Sequence, residues 1–300
     1  MACYGVGADA GPHCHSGRSM EGTSRSVAST AATGSVPTLS WRLRSSDPIY
    51  FLLAELTDMK LTIEPRQACL FLAAMALFLI FAAVMGLLSV YVLGYDYVFG
   101  LIDLFNLNNE NNLPTFFSAL VLLLCSLLLF VIASSRKSAG QPAGYWLGLA
   151  LIFLFLSIDE DASIHEVLIV PVRTLLDVSG PFYYAWVIPY GLVVLAIGVA
   201  YIPFLFRLPR NIRRLIVIAG SVFVSGALGV ELIEGWYYAA HDETEDLVYE
   251  LLVTLEESLE MLGTIVFCYA LLLFLADELK GGAVQISIAR QPVSRSDPIG

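Results

Sequence analysis

Residues 68–94 read ACLFLAAMALFLIFAAVMGLLSVYVLG, and this stretch identifies the class of fold. It contains no Asp, Glu, Lys or Arg over its whole length. A run of about 20 apolar residues is long enough to cross the hydrocarbon core of a bilayer as an α-helix. Lipid offers no hydrogen-bond partner to free backbone groups, so such a run must be helical. The stretch therefore predicts a transmembrane helix.

Five further apolar stretches follow it along the chain. The predicted spans are 68–94, 114–134, 145–166, 181–206, 215–240 and 247–277. The composition agrees, because only 14% of the residues are charged and the mean hydropathy is +0.74. A soluble domain typically carries about 25% charged residues. The sequence predicts an all-α fold, a polytopic transmembrane bundle of six helices whose main partner is the lipid bilayer.

The positions of Lys and Arg predict the orientation of this bundle. Basic residues flank the first and last spans and fill the loops after spans two and four: Lys60, Arg66, Arg136, Lys137, Arg207, Arg210, Arg213, Arg214 and Lys280. The opposite loops hold only Arg173 and are otherwise acidic. Because Lys and Arg concentrate in cytoplasmic loops, both termini are expected in the cytoplasm.

The chain divides into a membrane domain and two polar ends. Residues 1–58 are rich in Ser, Thr, Gly and Ala and predict a disordered leader, whose short His13-Cys14-His15 tract is read as chance rather than as a metal site. Translation is expected to start at Met59, just before the membrane domain at 59–280. Residues 281–300 predict a disordered cytoplasmic tail.

Several functions are disfavoured by composition and motifs. The net charge of −11 argues against a nucleic-acid partner, which would need a basic surface. The chain contains no Gly-rich phosphate loop, so a nucleotide is not expected. The five cysteines show no CxxC spacing and predict no disulfide framework. No protein partner and no catalytic residue can be assigned.

The informative exceptions to the apolar pattern are acidic residues in spans three, five and six. Counting about 1.5 Å per residue from the cytoplasmic ends brings Asp159, Glu231 and Glu260 to one level in the outer part of the bilayer. Helical spacing predicts one stripe on span five from Ala227 to His241, through both glutamates. Charge at membrane depth is costly, so an intramembrane carboxylate is a functional-site hypothesis by default.

Two interpretations of this acidic layer remain open. In the first, the acids are helix ends that emerge into interfacial water, where they cost little. In the second, they line a pocket open to the outside, which binds one or two divalent cations. Under the second interpretation the predicted metal ligands are Asp159, Glu166, Glu231, Glu234, Glu257, Glu260 and His165, with His241 as a further candidate. Glu160, Asp161 and Glu256 are expected to face away.

The pocket interpretation allows more than one function. Carboxylates with one or two His suit Mn, Fe or Zn, and carboxylates alone suit Ca or Mg. Metal-activated water would make hydrolysis one use of the site. The alternative is a proton- or cation-coupled carrier of a small molecule. A third possibility is a non-catalytic membrane sensor or assembly subunit.

Two segments also carry a resemblance. Residues 105–118 read FNLNNENNLPTFFS, and residues 155–166 read FLSIDEDASIHE, an FLS-x-DE-x4-HE pattern. Together they resemble a group of uncharacterised bacterial multi-pass inner-membrane proteins, over about residues 95–280. The resemblance implies a bacterial inner membrane as the location and implies no activity. It also implies that the segment around Glu110 belongs with the acidic cluster.

Overall fold

The computed structural model describes residues 60–278 and 284–287, and for residues 60–63 and 284–287 it describes the backbone only. The predictions for residues 1–59, including the His13-Cys14-His15 tract and the start at Met59, lie outside the described residues. Within the tail that the sequence predicts to be disordered, residues 284–287 form a short strand.

The described chain is helical apart from one two-stranded antiparallel sheet. Its elements are β1 (Lys60–Ile63), α1 (Pro65–Tyr91), α2 (Leu101–Phe105), α3 (Leu113–Ser138), α4 (Gly144–Ala162), α5 (Ile169–Leu176), α6 (Val187–Arg207), α7 (Arg210–Val224), a π-helical segment (Ser225–Val230), α8 (Glu231–Ala240), α9 (Leu247–Glu278) and β2 (Val284–Ser287). Short 3₁₀ turns at Glu166–Leu168 and Gly180–Phe182 flank α5.

Among the described residues, five helices are long and apolar enough to cross a membrane: α1, α3, α6, the continuous α7–π–α8 unit and α9. This makes the chain a multi-pass integral membrane protein. The third predicted span corresponds to α4, which has 19 residues and carries Asp159, Glu160 and Asp161 in its last turn. Unlike the other five, α4 is not among the helices that are long and apolar enough to cross a membrane.

The third and fourth predicted spans have different bounds in the structure. The third was expected to continue to residue 166, but α4 ends at Ala162 because Ser163 adopts the left-handed conformation (φ 49°). The fourth was expected to begin at residue 181, but α6 begins at Val187. The segment between α4 and α6 contains the short amphipathic helix α5, which the hydropathy pattern did not predict.

The long helix α9 lies at the centre of the bundle. Two thirds (67%) of its most apolar segment is buried, against 11–50% in the other four membrane-length helices. It packs against α1, α3, α7 and α8, while α4 pairs with α3. Burial on nearly all sides explains why the part of α9 that follows its glutamates is apolar all round rather than amphipathic.

Contacts between helix ends define two ends of the bundle. At the first, Arg136 on α3 pairs with Glu278 at 2.9 Å, Trp146 on α4 packs on Phe274, and β1 pairs with β2. We call this the basic end. At the other, the acidic end, the start of α6 meets α8, where Trp186 contacts Glu231.

The basic half of the bundle is filled by an apolar core. Its fully buried members include Cys125, Leu129, Ala150, Cys268 and Leu271. Phe153 and Phe267 stack with centroids 4.4 Å apart where this core approaches the acidic half. Close apolar packing of this kind leaves no continuous row of polar groups for an ion to follow through the described half of the bundle, since the buried Ser126 hydroxyl is taken up by the Ala150 carbonyl oxygen.

Candidate functional site

A cavity of about 200 Å³ opens into the acidic half of the bundle. Nine carboxylates line it: Glu110, Asp159, Glu160, Glu166, Glu231, Glu234, Glu256, Glu257 and Glu260. His165 is the one lining residue that can carry positive charge, since no described Lys or Arg belongs to the wall. The cavity therefore concentrates negative charge that must be balanced by protons or cations.

All seven residues predicted as ligands lie in this wall. Asp159 comes from the last turn of α4, His165 and Glu166 from the turn that follows, Glu231 and Glu234 from the first turn of α8, and Glu257 and Glu260 from the middle of α9. Glu110, which the resemblance associated with the cluster, comes from the loop before α3. Their common position is a matter of geometry, and their role as metal ligands stays a prediction.

Three glutamates form the tightest group in the cavity. One carboxylate oxygen from each of Glu231, Glu234 and Glu256 lies within 4.8 Å of the other two. At an effective dielectric constant of about 20, each ionised pair at that distance repels by about 3.5 kcal/mol. The three pairs together would cost about 10 kcal/mol, which is comparable to the total stability of a typical domain, unless a cation or protons neutralise the carboxylates.

Glu234 stands out among these three. Its side chain is only 2% exposed, and its Oε1 has no hydrogen-bond partner within the described structure. Burying a carboxylate oxygen without a partner is costly, and native structures rarely tolerate it. Glu234 lines the same cavity as Glu231 and Glu256. This is the position in which a bound ligand would supply the missing interaction.

The Glu231 side chain is held in place from a different helix. The indole Nε1–H of Trp186 donates a hydrogen bond of 2.8 Å to Glu231 Oε1. Trp186 is itself buried at the start of α6 and packs against the His165 ring, with centroids 4.6 Å apart. One aromatic side chain thus connects the glutamate group on α8 to the turn after α4.

A π-helical segment sets the direction of Glu231 and Glu234. The residues Ser225–Val230 form π turns directly before α8. A π turn interrupts regular α-helical register and is frequent at functional sites. Ala227 and Leu228 from this segment line the cavity. The π segment therefore forms part of the cavity wall directly before Glu231.

Small residues bring this segment close to α9. A Cβ placed on Gly226 would lie 2.8 Å from the Glu256 carbonyl oxygen and 3.1 Å from Leu259 Cβ. One on Gly263 would lie 2.7 Å from the Phe223 backbone nitrogen. Only hydrogen fits at either position, so the two glycines permit the close approach that brings the acids of α8 and α9 together.

The turn after α4 is organised by Asp159. Its Oδ1 accepts a 2.8 Å hydrogen bond from the His165 backbone N–H, and its Oδ2 lies 3.4 Å from His165 Nδ1. The Ser163 N–H, in addition, donates to the Asp159 carbonyl oxygen. Asp159 therefore both lines the cavity and fixes the reversal that directs His165 and Glu166 to it.

Glu110 and Glu166 mark the mouth of the cavity. Both side chains are exposed, whereas Asp159, Glu231, Glu234 and Glu256 are buried. Partial desolvation raises the pKa of Glu110 above its ordinary value, and the neighbouring Glu166 carboxylate raises that pKa further. The site thus runs from a solvent-accessible acidic rim to a buried acidic floor.

Tyrosines lie between the acidic floor and the ends of α8 and α9. The hydroxyls of Tyr184 and Tyr249 are 2.7 Å apart, and Tyr238 packs on both rings. Tyr184 and Tyr249 also line the cavity. The predicted stripe on α8 is therefore acidic in its first turn and aromatic in its second.

Several sequence expectations for this site are wrong. Glu160 and Glu256, expected to face away, line the cavity, whereas Asp161 is exposed and lies outside the wall as expected. His241, a further candidate, is exposed and stacks on Tyr237 instead. On α9 the cavity side is formed by Tyr249, Val253, Glu256 and Glu260, with Glu257 beside them.

The physical reason lies in the neighbouring helices. Glu256 and Glu257 are adjacent, and Glu260 follows one by four residues and the other by three, so helical spacing alone allows either face. The close contact at Gly226 turns the Glu256 side of α9 toward α8. The position of Glu256 could have been inferred from Gly226 on the neighbouring segment, but not from the spacing of the acids.

Comparison with known proteins leads to one family. Residues 69–275 match the family described as Domain of unknown function (DUF8692), and this segment contains all nine acids of the cavity. No curated protein and no solved structure shows a significant match to the chain. Because the match covers more than half of the sequence, the chain belongs to the DUF8692 family of proteins with unknown function.

Proposed function

We propose that the protein crosses the membrane six times and that α4 is the sixth crossing helix. With 19 residues, α4 is roughly 28 Å long, close to the hydrocarbon thickness of about 30 Å. It pairs with α3 and begins at the basic end. Pairing of β1 with β2 brings both ends of the helical region to that same end, as an even number of crossings requires.

The proposed membrane is the bacterial inner membrane, with the basic end in the cytoplasm. The arginines that end α6 and open α7 support this orientation, because positively charged loops stay on the cytoplasmic side. The location rests on the resemblance to bacterial inner-membrane proteins described above. In this orientation the mouth at Glu110 and Glu166 opens to the outside.

The function that the geometry supports best is binding of a hard divalent cation in the acidic cavity. The observation that carries it is the group Glu231, Glu234 and Glu256, whose oxygens lie within 4.8 Å of one another while Glu234 Oε1 has no described partner. A divalent cation would relieve the mutual repulsion and complete the coordination of that oxygen. Oxygen ligands alone favour Ca²⁺, Mg²⁺ or Mn²⁺ over softer metals.

The other acidic residues have a supporting role in this proposal. Glu257, Glu260 and Glu160 line the same cavity and add negative charge around the cation. The rim residues Glu110 and Glu166 would attract cations from outside. His165 is held by Asp159, an arrangement in which a carboxylate orients an imidazole and fixes its tautomer.

The cavity also leaves room for water beside a cation. Its volume of about 200 Å³ is far above the roughly 10–15 Å³ that one water needs, so several waters fit. Water coordinated to a divalent cation is the usual nucleophile of metal-dependent hydrolysis. A carrier is less well supported, because the described basic half of the bundle is closed by the apolar core around Leu129 and Leu271.

The test is cation binding by purified protein. The protein is stripped with a chelator in detergent and titrated with Mn²⁺, Ca²⁺ and Mg²⁺, with bound metal counted by elemental analysis. A double variant with Glu231→Gln and Glu234→Gln keeps the shape of both side chains and should abolish stoichiometric binding. Glu250→Gln is the matched control, since Glu250 is also buried with an unpaired oxygen but lies outside the cavity wall.

Thermal unfolding gives a second readout that separates binding from misfolding. A cation at a hundred times its Kd should stabilise the wild type by about 2.7 kcal/mol. The double variant should unfold cooperatively and show no such gain. The proposal fails if the wild type binds no cation, or if the double variant binds as tightly as Glu250→Gln. That outcome would favour the interfacial interpretation.

A further inference from the structure

A second concave surface lies at the basic end, between α6 and α7. It is a groove of about 580 Å³, well separated along the helices from the acidic cavity. Its lining is aliphatic and aromatic except for two arginines: Ile202, Leu205, Phe206, Arg213, Arg214, Val217 and Ile218. The metal proposal makes no use of this groove.

The groove stays open because α6 lies at the edge of the bundle. Val187 and Phe204 are the only buried residues of this helix, which the structure describes in full. Tyr201 and Phe204 hold it to Tyr145 on α4, which leaves its opposite side free. Phe206 on that free side is 72% exposed. In a bilayer, lipid chains must fill the space between α6 and α7.

The connection between α6 and α7, next to the groove, is strongly positive. Arg207 ends α6, and Arg210, Arg213 and Arg214 lie in the opening turns of α7. No described carboxylate lies within ion-pair distance of any of them. Pro209 provides no capping side chain, and the first turn of α7 contains no acid. Free N–H groups and the helix dipole add positive potential at this same point.

The two arginines of the groove combine charge with an apolar contact. The Arg213 guanidinium lies 5.2 Å from the centroid of the Phe206 ring. Val217 and Ile218 follow Arg213 and Arg214 by four residues each, so they lie one turn, roughly 6 Å, further along the same face. One molecule can therefore contact the arginines with its head and the groove with its tail.

We propose that this groove binds an anionic phospholipid. The phosphate is held by Arg213, Arg214 and the N–H groups that open α7, since a helix N-terminus is a ready anion site. One acyl chain lies in the groove along Ile202, Phe206 and Val217. A zwitterionic lipid would bring a cationic headgroup to four arginines, so the site favours a headgroup with net negative charge. Basic pockets between transmembrane helices are typical of such recognition.

The test is lipid titration of the purified full-length protein by native mass spectrometry. The probes are phosphatidylglycerol and phosphatidylcholine with matched acyl chains, and inorganic phosphate alone. We expect one phosphatidylglycerol bound in preference to phosphatidylcholine. Each of Arg213→Gln and Arg214→Gln should weaken its binding about fivefold. Lys137→Gln is the control, because this exposed lysine at the basic end lies outside the groove.

A second variant tests the apolar part of the site. Val217→Trp fills the groove and keeps both arginines, so it should weaken phosphatidylglycerol binding at least as much as one arginine substitution. The proposal is overturned by equal affinity for the two lipids, or by an effect of Lys137→Gln equal to that of Arg213→Gln. It is also overturned if inorganic phosphate displaces the lipid completely, which would identify a free anion site. Cation binding should be unchanged in all these variants.

Discussion

Replacing Gly263 by alanine tests the packing that assembles the site. An added Cβ would lie 2.7 Å from the Phe223 nitrogen, 2.8 Å from Phe223 Cβ and 2.9 Å from the Ala219 carbonyl oxygen. Optimal contacts between heavy atoms are about 3.5–4.0 Å. Two of the three atoms are backbone, so a side-chain rotation cannot relieve the overlap. Helices α7 and α9 must separate by roughly 1 Å.

The expected cost follows from two opposing effects. Overpacking of a close-packed interior typically costs about 1–3 kcal/mol. Against this, alanine is favoured over glycine in a helix by about 1 kcal/mol. We therefore expect Gly263→Ala to destabilise the fold by up to about 2 kcal/mol. Gly220→Ala on α7 is the matched control, because a Cβ there meets no atom within 4 Å and only the helix-propensity gain applies.

The assay is thermal unfolding in detergent, followed with a thiol-reactive dye. Cys125 and Cys268 are fully buried and become reactive when the bundle opens. Since both variants gain the same helix propensity, they should differ by the overpacking cost of about 1–3 kcal/mol. This corresponds to a Tm difference of roughly 2–12 °C. A Gly263→Ala protein with a Tm equal to or above that of Gly220→Ala would refute the packing argument.

Three further predictions concern the site and its supports. Trp186→Phe removes the hydrogen-bond donor to Glu231 and should weaken cation affinity about 10–100-fold, as loss of a group that supports a metal ligand usually does. Trp236→Phe changes an exposed residue of the same bundle and should leave the cation affinity unchanged in the same titration. Asp246 accepts two backbone N–H groups that open α9, and these bonds lower the pKa of this carboxyl. Its stabilising effect should be present above the unfolded-state pKa of about 3.9 and disappear as the pH falls through the lower folded-state pKa, so the Tm deficit of Asp246→Ala should be seen at pH 7 and vanish in strong acid. Asn112→Ala removes the side chain that caps α3 and should lower stability by about 1 kcal/mol in the thermal assay, and an unchanged Tm would contradict the capping role.

The helices and their approximate bounds could be predicted because hydropathy is a local property. Each apolar run meets the length requirement of the bilayer by itself, without reference to its neighbours. The start of α3 could also be recognised in the sequence, since Asn112 caps this helix and Pro114 occupies its first turn. The end of α4 could not be recognised in the sequence. The helix ends where Ser163 adopts a left-handed conformation, and Asp159 accepts a hydrogen bond from the turn that follows.

The acidic layer was predictable as a set but not member by member. Charges in apolar helices show in the sequence, and helical rise brings three of them to one level. Which acid faces the cavity depends on helix rotation, and rotation depends on what each helix packs against. Glu256 lines the cavity where α9 approaches the glycine-containing π segment, and Glu160 lines it from the last turn of α4.

The residues alone thus establish a multi-pass helical membrane protein with acids at one level, because bilayer thickness and helical rise are the same for every sequence. The tertiary structure adds the cavity, the convergence of Glu231, Glu234 and Glu256, and the contact of Trp186 with Glu231. These depend on contacts between helices far apart in the chain. Their geometry is set by side-chain volume at the crossings, above all by the absence of a Cβ at Gly226 and Gly263.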